Sequence, residues 1–198
     1  MPDEIKSAYE KAMERVANLK APTPKQKMEW DGLPKGQKLA AEFLKGKDDP
    51  IAALNAHEQA LRPYVLKGAI EVLAANVALP RTPIAEKSVK RAIEGIRLLL
   101  GSKPQTKEIV TRMNYVLDQY KNNGEQQRQQ VLQQLKQQFM MQVQQAAQQR
   151  GVQVPQNVNV ESMPEFQQEW LRVRAQLDQQ YDEHLESFRE AVKGFVQV

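Results

Sequence analysis

Cysteine is missing from this 198-residue chain, which removes disulfides, thiolate metal ligands and cysteine nucleophiles together. Histidine is nearly missing, with only His57 and His184. A metal pair on one helix face needs ligands three or four residues apart. His57 has Ala53, Leu54, Ala60 and Leu61 at those distances and His184 has Gln180, Tyr181 and Phe188, so both read as solvated or simply hydrogen-bonded. The nine glycines never cluster into a phosphate-cradling loop or a dinucleotide fingerprint, and Gly46 and Gly101 read as helix ends. Asp48-Asp49 lacks the alternating oxygen ligands of a calcium loop and reads as a helix cap. Long apolar runs are lacking too. The most apolar segment, Tyr64–Leu79, has 16 residues and carries Lys67 and Glu71, whereas a membrane span needs about 20. The N-terminus, MPDEIKSAYEKAMERV, is charged and has no apolar stretch of signal-peptide length. These absences predict a soluble cytoplasmic protein with no membrane segment, no metal, no cofactor and no catalytic constellation.

What the chain has in abundance is glutamine. Half of the stretch from Glu125 to Arg150 is Gln, and Gly151 closes it. Its apolar residues Leu132, Leu135, Phe139, Val143 and Ala146 recur in steps of three and four, the period of an amphipathic helix. Gln, Leu, Met and Ala are good helix formers, so propensity agrees with the pattern. The coat is polar and nearly uncharged, suited to exposed positions or to hydrogen bonding with a partner helix; the embedded apolar stripe favours order over the aggregation of a bare polar tract.

A second long stripe follows the connector 151–162. Phe166, Trp170, Val173, Leu177, Tyr181, Leu185, Phe188, Val192 and Phe195 predict a helix over 163–195, opened by a capping box at Ser162 and Glu165 with Arg, Asp, Glu and Gln on its other face. Two long stripes joined by a short connector argue for an antiparallel, coiled-coil-like hairpin. Asn123-Gly124 is a turn signal and is expected to break the helix leading into the Gln-rich stretch, which starts at a capping-box pair, Ser102 and Gln105.

Before residue 103 the punctuation predicts shorter helices. Asp3 opens one that runs to about Lys20. Thr23-Pro24, with Gln26 three residues after Thr23, opens another that ends near Trp30 at Asp31-Gly32. A third runs from about Pro34 to Lys45, and Asp49-Pro50 caps a fourth. Pro63 breaks that fourth segment near Leu61–Arg62, leaving a helix from Pro63 to Leu79 that is apolar almost all round and therefore covered on most sides. Thr82-Pro83 starts a helix ending at Gly101. The expected fold is all-α: a multi-helix N-terminal domain over 1–102 and a long-helix region over 103–198.

Charge is uneven. Up to Gly124 there are 21 basic and 15 acidic residues, and beyond it 7 and 9. The best basic cluster, Lys87, Lys90, Arg91 and Arg97, is diluted by Glu86 and Glu94 and has no interleaved aromatics, so it reads as a solvated face before a nucleic-acid surface. Trp30, in the turn-rich MEWDGLP, either folds back on its neighbours or anchors another chain. The sequence therefore points to a non-enzymatic structural or interaction protein that self-associates or binds a helical partner. The candidate contacts are Trp30, Leu132, Leu135, Phe139, Val143, Trp170, Leu177 and Phe188. Two other readings are nucleic-acid association through the basic half and a holdase-like role. For the latter, the expected long arms are similar in outline to prefoldin-like and periplasmic holdase chaperones, a likeness that no shared motif carries.

Overall fold

The computed structural model describes residues 21–47, 49–153 and 158–196. The elements are helices α1 (Pro24–Leu44), α2 (Pro50–Asn55), α3 (Arg62–Ala75), α4 (Pro83–Leu100), α5 (Pro104–Gln149) and α6 (Pro164–Gly194), with a 3-10 turn at Val160–Ser162. The protein is all-helical, with no strand among the described residues. No helix among them is long and apolar enough to cross a membrane. The helix expected over residues 3–20 lies outside the described residues.

Proline occupies the first or second position of all six α-helices among the described residues. A helix leaves its first N–H groups without partners, so proline's missing N–H costs nothing there. Where a proline is the first helical residue, the residue before it becomes the N-cap. Thr23 and Gln26 accordingly form the expected capping box. The Asp49 carboxylate accepts from the Ile51 and Ala52 amides, and the Thr82 hydroxyl from the Ala85 amide. The same rule corrects two expectations. Pro104 and Pro164 make Lys103 and Met163 the N-caps, and neither forms a side-chain cap. Ser102 and Ser162 stand one residue too early, and Ser162 instead donates its hydroxyl to the Asn159 carbonyl.

Two further boundaries differ from expectation. The fourth segment ends early: α2 stops at Asn55, and the chain turns before α3 starts at Arg62, whose guanidinium donates to the Asn55 and His57 carbonyls. By contrast, α1 does not stop at Asp31-Gly32 but continues through Pro34 to Leu44. The reason lies in α3. A Cβ on Gly32 would stand 2.4 Å from the Tyr64 Cβ, one on Gly36 2.0 Å from the Val65 carbonyl oxygen, and one on Gly68 2.3 Å from the Leu33 carbonyl oxygen. The two backbones touch where they cross, and only glycine leaves room for that. Glu29 and Lys67 form an ion pair of 2.6 Å across the same crossing. The hydrogen bond with Lys67 holds the Glu29 carboxyl below the ordinary range and raises the Lys67 ammonium.

The main core gathers on α3, whose Val65, Ala69, Ile70 and Leu73 are buried between Leu39 and Phe43 of α1 and Val89, Ile93 and Ile96 of α4. Arg91 fastens the end of α1: its guanidinium stacks on the Phe43 ring at 4.5 Å and donates to the Phe43 and Lys47 carbonyls. The same core takes in Ile109, Met113, Leu117 and Tyr120 of α5 and Leu185 and Val192 of α6. Helices α1, α3, α4, α5 and α6 therefore share one apolar core.

The break expected at Asn123-Gly124 does not occur; α5 is a single helix of 46 residues. Its covered positions 106, 117, 128 and 139, and likewise 113, 124 and 135, are eleven residues apart. An 11-residue repeat corresponds to about 3.67 residues per turn, close to a straight helix, so one face stays inward over a long distance. Gly124 lies on that face. A Cβ there would be 3.2 Å from Arg128 Nη1 and 3.4 Å from the Tyr181 hydroxyl, so the glycine seats Tyr181. Contacts between α5 and α6 descend one helix as they climb the other: Phe139 meets Phe166 edge-on at 5.3 Å, Arg128 meets Asp178, and Tyr120 meets Tyr181 at 5.4 Å.

Candidate functional site

Five of the eight candidate contact residues come together. Leu132, Leu135, Phe139, Val143 and Trp170 join Met140, Val158, Val160, Met163 and Phe166 in an apolar cluster separate from the main core. Only Leu135, Val160 and Phe166 of that cluster are buried; the others are half-buried. Lys136 and Glu161 form an ion pair that ties α5 to the 3-10 turn beside it. The remaining three candidates lie elsewhere. Phe188 packs against the main core, Leu177 is half-buried on α6, and Trp30 stands 64% exposed on α1.

Between the two apolar clusters lies a polar junction that sequence reasoning missed. Asp178 is 1% exposed. Its carboxylate takes Arg128 Nη1 at 3.3 Å on one oxygen, and Arg81 Nη2 at 3.2 Å with the Tyr120 hydroxyl at 3.5 Å on the other. Arg128 lies over the Tyr120 ring at 4.3 Å and also pairs with Glu125 at 2.9 Å. A buried carboxylate with two guanidiniums and a phenol meets the rule that interior charge must be paired and hydrogen-bonded. The apolar stripe of this helix leaves its Asp residues on the other, polar face, and Asp178 departs from that expectation. The available signal was its register: Asp178, Leu185 and Val192 are seven residues apart and all buried.

A cleft of about 590 Å³ opens beside this junction. Arg81, Lys121, Glu125, Arg128, Gln129 and Arg174 supply its polar lining, and Tyr120, Leu132, Trp170 and Pro80 its apolar lining. A second hollow of about 540 Å³, between α1 and the turn after α2, is lined by His57, Asp31, Glu58, Lys27 and Lys35 among others. No group of three or more His, Asp or Glu able to hold a metal ion occurs among the described residues. The basic cluster on α4 is largely engaged: Lys90 pairs with Glu86, Arg97 with Glu94, and Arg91 with the end of α1.

Burial and the nearby Asp178 carboxylate raise the Tyr120 hydroxyl above its ordinary value of 10.0. The folded state therefore holds this proton more tightly than the unfolded chain does. The resulting stability is fully present below pH about 10 and is lost as pH rises through the raised value. We expect Tyr120→Phe to lose less stability than the parent between pH 10 and 11.5, as read by urea unfolding at each pH; parallel curves would show that Tyr120 does not titrate differently in the fold.

No curated protein and no solved structure matches the chain. One family does, and its match covers residues 51–194, from α2 to the end of α6, so that the second apolar cluster, the Asp178 junction and all of the main core except its α1 residues fall inside it. Since this is most of the chain, the protein belongs to the DUF6657 family, a family of unknown function.

Proposed function

We propose that this is a non-enzymatic cytoplasmic interaction protein, in which α5 and α6 form a long antiparallel hairpin whose outer part mediates self-association or binds a helical partner. The observation that carries this reading is the state of the second apolar cluster. Three of its residues are buried and seven are only partly covered, including Leu132, Phe139, Met140, Val143 and Trp170. Two helices alone cover one side of such a stripe, and a third surface is needed to dry the rest. Exposed Met141 and Leu171 extend the apolar area beyond the cluster. The engaged state of the α4 basic cluster supports this reading over nucleic-acid association, because ion-paired side chains have little charge left for phosphates.

Light scattering on the parent and on Met140→Lys/Val143→Lys tests it. Both positions are half-exposed, so lysine stems can lie along the helix with their ammonium groups in water and the fold is retained. A parent of two or more chains that falls to one in the variant, with equal helical content, is the expected result. A parent that is a single chain at every concentration would rule out self-association. A variant with the parent's mass would remove the cluster from the interface.

A further inference from the structure

Resting on the reading of α5 and α6 as an interaction arm, we propose that the partner is a protein segment carrying a single carboxylate beside apolar side chains, the carboxylate binding Arg174 and the apolar groups packing on Trp170 and Leu132. The cations around the cleft are not equivalent. Arg128 is engaged by Asp178 and Glu125, Arg81 by Asp178 and Asp182, and Lys121 by Glu86. Arg174 is half-buried in the cleft wall and makes no hydrogen bond or ion pair among the described residues; it only acts on Glu125 through space.

A guanidinium partly withdrawn from water without an acceptor is disfavoured, and a carboxylate matches its forked donors in two parallel hydrogen bonds. One unengaged cation suits one negative charge. A nucleic-acid strand, which binds by neutralising several phosphates, would find its other cations already paired. The apolar half of the ligand follows from the residues beside Arg174: Trp170, one turn earlier on α6, and Leu132 on α5. Trp170 and Leu132 are half-buried, and Leu171, 64% exposed, lies three residues from Arg174 on the same helix face. The Gln coat of α5 beside the cleft, including Gln129, offers hydrogen bonds and neither attracts nor repels charge. Leucine and glutamate one turn apart on a partner helix would meet Trp170 and Arg174, which are themselves one turn apart on α6.

The test uses fragments of that chemistry on the full chain carrying Trp30→Phe, so that Trp170 is the remaining tryptophan and its indole resonance reports on the cleft. The probes are 3-phenylpropionate, its neutral amide, benzyl phosphate and a uridine oligonucleotide. The carboxylate is expected to bind about tenfold more tightly than the amide, the difference a charge-assisted hydrogen bond makes. In Arg174→Gln that difference should vanish while the melting curve stays unchanged, since Arg174 makes no hydrogen bond or ion pair among the described residues. The proposal is overturned by equal binding of acid and amide, by an acid preference that survives Arg174→Gln, or by failure of the carboxylate to shift Trp170. Tighter binding of benzyl phosphate or the oligonucleotide would overturn it in favour of a phosphate ligand. A drop in molecular mass caused by Arg174→Gln would overturn it in favour of a second copy of this chain. Equal binding of acid and amide leaves the interaction arm itself standing, because that is decided by the Met140→Lys/Val143→Lys masses.

Discussion

Gly36→Ala is expected to destabilise the protein by about 3 kcal/mol or more, the upper end of what overpacking costs. The added methyl would sit 2.0 Å from the Val65 carbonyl oxygen and 2.7 Å from the Ala69 amide nitrogen. Both neighbours are backbone of a central core helix, so no rotamer change relieves the clash; α1 must move off α3 and uncover Leu39 and Phe43. Helix propensity acts in the opposite direction, favouring alanine by about 1 kcal/mol, and is too small to win. For a chain of this size about 3 kcal/mol corresponds to a fall in melting temperature of roughly 6–12 °C. Gly194→Ala is the control. It lies at the end of α6 with nothing within 4 Å of the added Cβ and no left-handed backbone, so it should be neutral or stabilising by up to about 1 kcal/mol. Equal melting of Gly36→Ala and the parent would mean that the two backbones do not touch.

The second large effect is expected at the Asp178 junction. Removing one partner of a buried ion pair costs about 3–5 kcal/mol, because the other charge is left stranded. Arg128→Met should approach the lower figure, since Arg81 still reaches the Asp178 carboxylate. Asp178→Leu leaves Arg128 its contact with Glu125 but strands it against the Tyr120 ring. The double variant Arg128→Met/Asp178→Leu strands neither charge. It should lose less than the two single variants together, with a coupling of roughly 1–3 kcal/mol in urea unfolding. Additive losses would mean that the two side chains act independently and that the junction does not join α5 to α6.

Most of the helix starts were legible because their cause is local. A proline at the first helical position and a hydroxyl or carboxylate before it need only neighbours in sequence, and Thr23, Asp49 and Thr82 were read correctly on that basis. Ser102 and Ser162 were misread by one residue, where spacing to Gln105 and Glu165 was weighed above the position of the proline. The second apolar cluster was legible in part. Periodicity singled out Leu132, Leu135, Phe139, Val143 and Trp170, and the structure places them in one cluster. Periodicity could not place Asp178 or Arg81, because the stripe was traced through apolar residues alone.

The sequence by itself determined that the chain is helical, where most of its helices begin, and which face of the Gln-rich stretch is apolar. All of these follow from residue type and spacing within a few turns. Only the tertiary structure decided where helices do not end and that the charged Asp178 is interior. Gly32 and Gly124 would each weaken an isolated helix by about 1 kcal/mol, and they become packing positions only because the α3 backbone and Tyr181 come to rest on them. Asp178 is stable in the interior only because Arg128, fifty residues earlier, and Arg81, on the segment before α4, converge on it. A charge is buried by partners that arrive from elsewhere in the chain, and neighbouring residues do not reveal them.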